Sequence, residues 1–202
     1  YNLNYFDFLN QEELTTEVGL KLIKNYLEQD DHFKDGKEPY PISLRTINWI
    51  KFLAQNQICD QKINQVLYNH FQILLHNLEY HLLGNHLLEN AFALFFGGVY
   101  FNDKRLTDKA SDLLRLELEE QILQDGAHFE LSPMYHKILL HRLLDCISLA
   151  NQNKTKIDVQ LLIYLRAKVV KMLAWLQTIT FKNGSISIKP YVTAILITCR
   201  NV

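Results

Sequence analysis

The chain is short of cysteine, glycine, proline and surplus charge, and each shortage excludes something. Its 3 cysteines, Cys59, Cys146 and Cys199, lie far apart with no CxxC spacing. A structural zinc site or a disulfide framework is therefore not expected, and ordinary buried thiols are. With 7 Gly and 4 Pro in 202 residues, the chain lacks the frequent turns of a many-stranded sandwich. Its 21 basic and 22 acidic residues leave a formal net charge of −1. No bulk field exists to hold nucleic acid or an anionic membrane, so any anionic ligand must be met by a local cluster. No apolar run reaches the ~20 residues needed to span a bilayer. The chain opens on Tyr1 rather than Met, so the missing signal peptide leaves the compartment open.

What remains is an apolar chain, 48% hydrophobic, with helical periodicity. Asn10 and Glu13 have capping-box spacing ahead of a helix to about Glu28. A loop from Asp30 to Pro41 precedes a second helix to about Gln57, and Asp60 caps a third to about His81. A fourth runs from Asn85 to Tyr100 and ends near Gly97–Gly98; a fifth spans Asp103 to Leu123. Ser132–Pro133 opens a sixth, with Pro at the first helical position, and Asp158 to about Thr178 forms a seventh, closed by Asn183–Gly184. Leu87 to Phe101 is apolar on nearly every side and must be enclosed. The next helix mixes Lys104, Arg105, Lys109, Glu117, Glu119 and Glu120 among its leucines, as an outer helix would. Alternating inner and outer helices predict an all-α, incomplete α/α toroid. No fixed-period repeat and no internal domain boundary are visible.

Among polar residues, His70, His76, His81 and His86 are spaced by six, five and five. A step of five turns a helical side chain by roughly 140°, so they cannot share a face, and no metal site is predicted. HExxH is absent as well. Three stretches carry more. In the first, Asn85, His86 and Glu89 place polar groups on one face at the mouth of an oily helix. They read either as a functional cluster or as an N-cap with a satisfied His–Glu pair. In the second, Asp125 to His136, a polar loop holding His128 and Glu130 feeds a helix whose first turn carries Tyr135 and His136. The positive end of that helix favours a phenolate, although Tyr135 can equally be a packing aromatic and the loop residues mere ties. In the third, Arg45 and Trp49 stand four apart, as a guanidinium and an indole that would suit a sugar acid. A salt bridge and a core Trp explain them almost as well.

Together YPISLRTINW (40–49), GNHLLENAFALFFGGVYF (84–101) and LELEEQILQDGAHFELSPMYHKILLHRLLD (116–145) resemble the heparinase II/III-type polysaccharide lyases in their helical N-terminal domain. The order and spacing also match, over about residues 5 to 184. The resemblance implies a toroid at 1–184, a following C-terminal β-sandwich, and an acidic polysaccharide cleaved between them by β-elimination. It places Asn85 and His86 on the uronate carboxylate and Tyr135 as the proton-transfer residue. No metal or organic cofactor is needed, and a periplasmic or secreted location is implied.

The chemistry explains these residue types. The C5 proton of a uronate is weakly acidic because the neighbouring carboxylate is already charged. Donors that neutralise it stabilise the enolate-like intermediate by ~3–4 kcal/mol each. Tyr135 would then move the C5 proton or protonate the leaving O4. Glu89 would orient His86, while Arg45, Trp49, His128, Glu130 and His136 would support or line the pocket. Asn85, His86, Glu89, Tyr135, Arg45 and Trp49 are thus expected to converge on one cleft. The tail departs from the pattern: Tyr191 to Cys199 is an apolar, β-branched run, so 185–202 reads as divergent or truncated. The sandwich and its proton-transfer residue are then missing, and the chain alone is expected to bind weakly and turn over little. Two other readings remain: a toroid glycoside hydrolase using Glu89 and Glu130, or a non-catalytic acidic-glycan module.

Overall fold

The computed structural model describes residues 2–29, 36–82, 84–153 and 157–180. Two 3₁₀ turns, Asn2–Tyr5 and Asp7–Asn10, precede seven α-helices. These are α1 (Thr16–Gln29), α2 (Pro39–Gln55), α3 (Gln61–His76), α4 (His86–Phe101), α5 (Lys104–Gln121), α6 (Pro133–Gln152) and α7 (Val159–Ile179). Among the described residues the only β pairing is an isolated bridge between Ile122 and His128, so the fold is all-α. The expected Asn183–Gly184 terminator and the tail at 185–202 lie outside the described residues.

The helices alternate between two layers. Fourteen of the sixteen residues of α4 are buried, so no face is left for water and the helix is enclosed by its neighbours. It packs against α2, α3, α5 and α6. By contrast, α5 buries the stripe Leu106, Ala110, Leu113, Leu114 and Leu118, the repeat of a helix with one apolar face. Inner α2, α4 and α6 each fold back through outer α3, α5 and α7. The inner helices therefore run parallel, which the cross-links confirm. The Tyr40 ring near the start of α2 lies 4.5 Å from the His86 ring at the start of α4. Further along, Lys51 Nζ of α2 donates to Asp145 Oδ2 of α6 at 2.8 Å.

Parallel running gathers the N-termini of α2, α4 and α6 at one end and those of α3, α5 and α7 at the other. The two ends are finished differently. Asp60, Asp103 and Asp158 cap the outer helices, their carboxylates accepting from the backbone N–H groups of Lys62 and Ile63, of Arg105, and of Gln160. Neither Glu38, Asn85 nor Ser132 makes a side-chain cap bond to its inner helix. The inner ends thus lack side-chain caps, though Pro39, Pro41 and Pro133 have no N–H to offer and Glu89 stands in the first turn of α4.

Several boundaries differ from those read in the sequence. Asn10 closes a 3₁₀ turn and donates to Asn48 Oδ1, and α1 begins only at Thr16. The pair Gly97–Gly98 lies inside α4, which continues until Asn102 turns left-handed at φ 55°. A Cβ at Gly97 would stand 2.6 Å from the Phe71 ring, and one at Gly98 would stand 2.5 Å from the Thr107 methyl. These glycines let α3 and α5 close on α4 rather than ending it.

Candidate active site

A polar seam runs where α2, α4 and α6 meet. Tyr40 and Lys51, eleven residues apart, fall on one face of α2 because three turns take about eleven residues. Tyr135 and Arg142, seven apart, share a face of α6 in the same way. Lys51 bonded to Asp145 joins α2 to α6, and Arg142 bonded to Glu89 joins α6 to the N-terminal half of α4.

At the mouth of the seam stand Asn85 and His86. Asn85, nearly buried, does not cap α4; its carboxamide lies beside the Tyr40 hydroxyl. Burial, helped by the charge of Glu89, lifts Tyr40 to about 12, so the phenol stays protonated at neutral pH. The Tyr40 ring also lies edge-on to Tyr5 at 6.0 Å, continuing the aromatic contact with His86 outward. His86 Nδ1 is 3.4 Å from Glu79 Oε1. Glu79 is buried, and its Oε2 accepts from the Asn90 amide at 3.0 Å. That amide also donates to Ser43 Oγ at 3.1 Å, while Asn90 Oδ1 accepts from the Glu79 backbone N–H.

Glu89 therefore does not orient His86, as its spacing suggested. Its Oε2 accepts from Arg142 Nε at 3.3 Å, and the carboxylate is fully enclosed between α4 and α6. Burial raises the Glu89 acid above its ordinary range, against the pull of Arg142, whose own guanidinium is held firmly charged. A helical i,i+3 spacing permits the His86–Glu89 contact but does not require it, and an arginine from the neighbouring helix wins the carboxylate.

Arg45 and Trp49 share a face, as read, but that face is turned inward. Twelve of the residues of α2 are buried, because the N-terminal turns cover the side that would otherwise meet water. Arg45 Nη1 donates to the carbonyls of Asn4 and Gly36, and its guanidinium lies 4.8 Å from the Tyr26 ring centre. Trp49 is fully buried, edge-to-face with Phe6 and Tyr26. Neither reaches the seam. His136 is also turned away: it bonds the Met172 carbonyl at 3.1 Å and stacks on Trp175 of α7.

The loop before α6 ties down the mouth. His128 is buried, its Nε2 3.2 Å from Gln121 Oε1, and burial lowers it to about 4 so that it stays neutral. The Gln121 amide donates to the Gly84 carbonyl, one residue before Asn85. Glu130 is exposed, its Oε1 3.3 Å from where a Cβ on Gly84 would stand. Glu89 is bonded to Arg142, while Glu130 is exposed beside Gly84. Tyr135 is half-buried in the first turn of α6. Among the described residues no hydrogen bond joins it to Asn85 or His86.

Among the described residues no group of three His, Cys, Asp or Glu could hold a metal ion, and no helix is long and apolar enough to cross a membrane. A concavity of about 430 Å³ lies at the opposite end of α4, lined by Asp103, Asp108 and Asp158 beside Lys104. Its surplus of carboxylates suits a polyanion poorly.

Tyr40, Glu79 and Arg142 were not singled out in the sequence. Arg142 had a signal there, the seven-residue step from Tyr135; Glu79 sits between helices, where no periodicity marks it. No solved structure matches this chain. A heparin-sulfate lyase from Bacteroides stercoris is 26% identical over 105 residues, which are 50% of this chain and 16% of that protein. The family model described as Heparinase II/III N-terminus matches residues 39–186, from the first turn of α2 past the end of α7. With the match covering well over half of the chain and every element of the seam, the chain belongs to the heparinase II/III family through its N-terminal helical domain.

Proposed function

We propose that this helical domain is part of a lyase that cleaves a uronic-acid-containing polysaccharide by β-elimination. The observation that carries the reading is the asymmetry of the caps. All three outer helices begin on an aspartate, whereas no side chain caps any of the three inner helices at the mouth where Asn85 and His86 stand. A carboxylate entering there meets the uncapped first turns of α4 and α6, with Glu79 already engaged by His86 and Asn90. Asn85, released from capping, donates from its carboxamide to the uronate, and His86 contributes when protonated. Neutralising that carboxylate lets C5 lose its proton. The electron pair then forms the C4–C5 double bond as the glycosidic O4 leaves. Tyr135 moves the proton, as base at C5 or as acid at O4 according to the C5 epimer. Tyr40 keeps the Asn85 carboxamide oriented, and the chain His128–Gln121–Gly84 holds the loop from which Asn85 projects.

The test is an assay of the full-length protein against a panel of uronic-acid polymers, following the ultraviolet absorbance of the conjugated product. Unsaturated ends are expected. Asn85→Ala should lose roughly 10²–10³-fold in kcat and Tyr135→Phe roughly 10²–10⁴-fold. Saturated products would identify hydrolysis instead, and glycan binding without turnover would identify an accessory module; either result overturns the reading.

A further inference from the structure

We infer that Glu79 is a positioning residue that fixes the tautomer of His86, so that Nε2 is the proton-exchanging nitrogen at the mouth of the seam. A carboxylate can only accept, so the 3.4 Å contact with Glu79 Oε1 puts the hydrogen on His86 Nδ1. Glu79 cannot turn away to release it. Its Oε2 is held by the Asn90 amide at 3.0 Å and its backbone N–H by Asn90 Oδ1 at 3.1 Å, while the side chain is 7% exposed. The His86 side chain is 37% exposed. Its Nε2 has no hydrogen-bond partner among the described residues and is not among the enclosed polar atoms left without one. The open edge of the ring is therefore the Nε2 edge.

Two states follow. With Nε2 unprotonated, its lone pair faces the mouth and can accept a proton. With Nε2 protonated, an imidazolium faces the mouth with Glu79 as its counter-ion and can neutralise an incoming carboxylate. In both, Nδ1–H stays on Glu79 and only the outer nitrogen exchanges. The tautomer stands on geometry alone; its effect on turnover rests on the lyase reading above.

The Gln variant sharpens the test. In Glu79→Gln the Asn90 amide still needs an acceptor, so the new carbonyl must face it. The new amide nitrogen then faces Nδ1, which becomes an acceptor, and the ring hydrogen moves to Nε2. The tautomer should invert while the shape is kept.

The experiment is a long-range proton–nitrogen spectrum of histidine-labelled protein at about pH 9, well above the ordinary imidazole range. The His86 signals are identified by their loss in His86→Gln. The wild type should show hydrogen on Nδ1, and Glu79→Gln should show it on Nε2; Glu79→Asp should keep the wild-type tautomer. Hydrogen on Nε2 in the wild type overturns the inference without any variant. An unchanged tautomer in a folded Glu79→Gln protein overturns it as well. Against the polymer that the full-length protein cleaves, Glu79→Gln should lower kcat by about 10²-fold or more with little change in KM. Unchanged kcat in a protein whose tautomer has inverted would remove the positioning role. If no polymer yields unsaturated product, the lyase reading fails and the spectrum still decides the tautomer.

Discussion

Removing either partner of the Glu89–Arg142 pair should destabilise the domain more than removing both. Glu89 is fully enclosed, and its Oε2 accepts from Arg142 Nε at 3.3 Å while Oε1 has no partner. Arg142→Met leaves that carboxylate with no counter-charge and no route to water. Breaking a buried pair in this way costs about 3–5 kcal/mol, and the enclosure of Glu89 places the variant near 4. Glu89→Leu orphans the guanidinium instead. Its side chain is 12% exposed and regains some hydration, so the cost is nearer 3 kcal/mol. The double variant replaces two desolvated charges by apolar volume between α4 and α6, which is near neutral in comparable cores. It should fall within about 1 kcal/mol of wild type. The coupling between the sites, several kcal/mol, is then the signature of the pair.

The pH dependence has a definite sign. The Glu89 acid is raised above its ordinary range by burial, so the folded state takes up a proton more readily than the unfolded one. Its contribution to stability is largest at low pH and is lost as pH rises through the folded pKa. Without Arg142 the acid rises further, so the Arg142→Met deficit should shrink as pH falls from 7 towards 5. Urea unfolding of the four proteins, followed by helical circular dichroism, measures all of this. Single variants costing under 1 kcal/mol, or additive effects in the double, would refute the reasoning.

Three further outcomes can be checked by the same unfolding assay. Asp60→Ala should cost about 1 kcal/mol, because the carboxylate caps two N–H groups of α3, whereas Ser132→Ala should change stability by less than about half of that. Gly126→Ala should cost ~2 kcal/mol or more, since φ is +93° and an added Cβ would collide with the Lys171 carbonyl; a change under ~0.5 kcal/mol would contradict that contact. His70 is lowered to about 3 and His128 to about 4, chiefly by burial, so the unfolded state takes up their protons first. Stability should therefore fall as pH drops from about 6.5 towards 4, and His128→Gln should flatten part of that fall; an unchanged slope would show that His128 is not held neutral.

The architecture was legible because the inner and outer helices differ in pattern. A helix apolar all round, followed by one with charged residues on a single side, encodes its own depth. What misled was punctuation. Gly97–Gly98 reads as a stop in one dimension, but a glycine without a Cβ also admits a neighbouring helix, and only the approach of Phe71 and Thr107 distinguishes the two uses. Asn10 with Glu13 has capping-box spacing, yet Asn10 is drawn to Asn48, a partner 38 residues away that no local rule can see.

The candidate site was legible in part, for a related reason. Periodicity says which residues share a face and not which way that face turns. Arg45 and Trp49 share one, and the N-terminal turns cover it. Arg142, seven residues after Tyr135, does reach the seam through Glu89, but nothing in the spacing separates the two cases. Glu79 could not be found from spacing at all, since the loop brings it to His86 through Asn90.

The cap asymmetry explains why the polar ends of the inner helices were ambiguous in the sequence. An asparagine immediately before an apolar helix ordinarily accepts from the backbone two or three residues on, in an extended conformation. Asn85 stands at φ −86° and ψ 3°, outside that conformation, and makes no such bond. Forgoing a cap costs roughly 1 kcal/mol per helix. The outer helices of the same chain show that aspartate caps are readily available to it. On the proposed reading, an aspartate at position 85 or 132 would place a fixed negative charge where the substrate carboxylate is held. At 4 Å even a well-screened pair of like charges repels by about 1 kcal/mol, and by about 4 at the effective dielectric of a protein surface. For an anionic substrate, repulsion on that scale outweighs the stability a cap restores. Uncapped inner ends and aspartate-capped outer ends therefore agree with the proposed binding of an acidic polysaccharide at one rim.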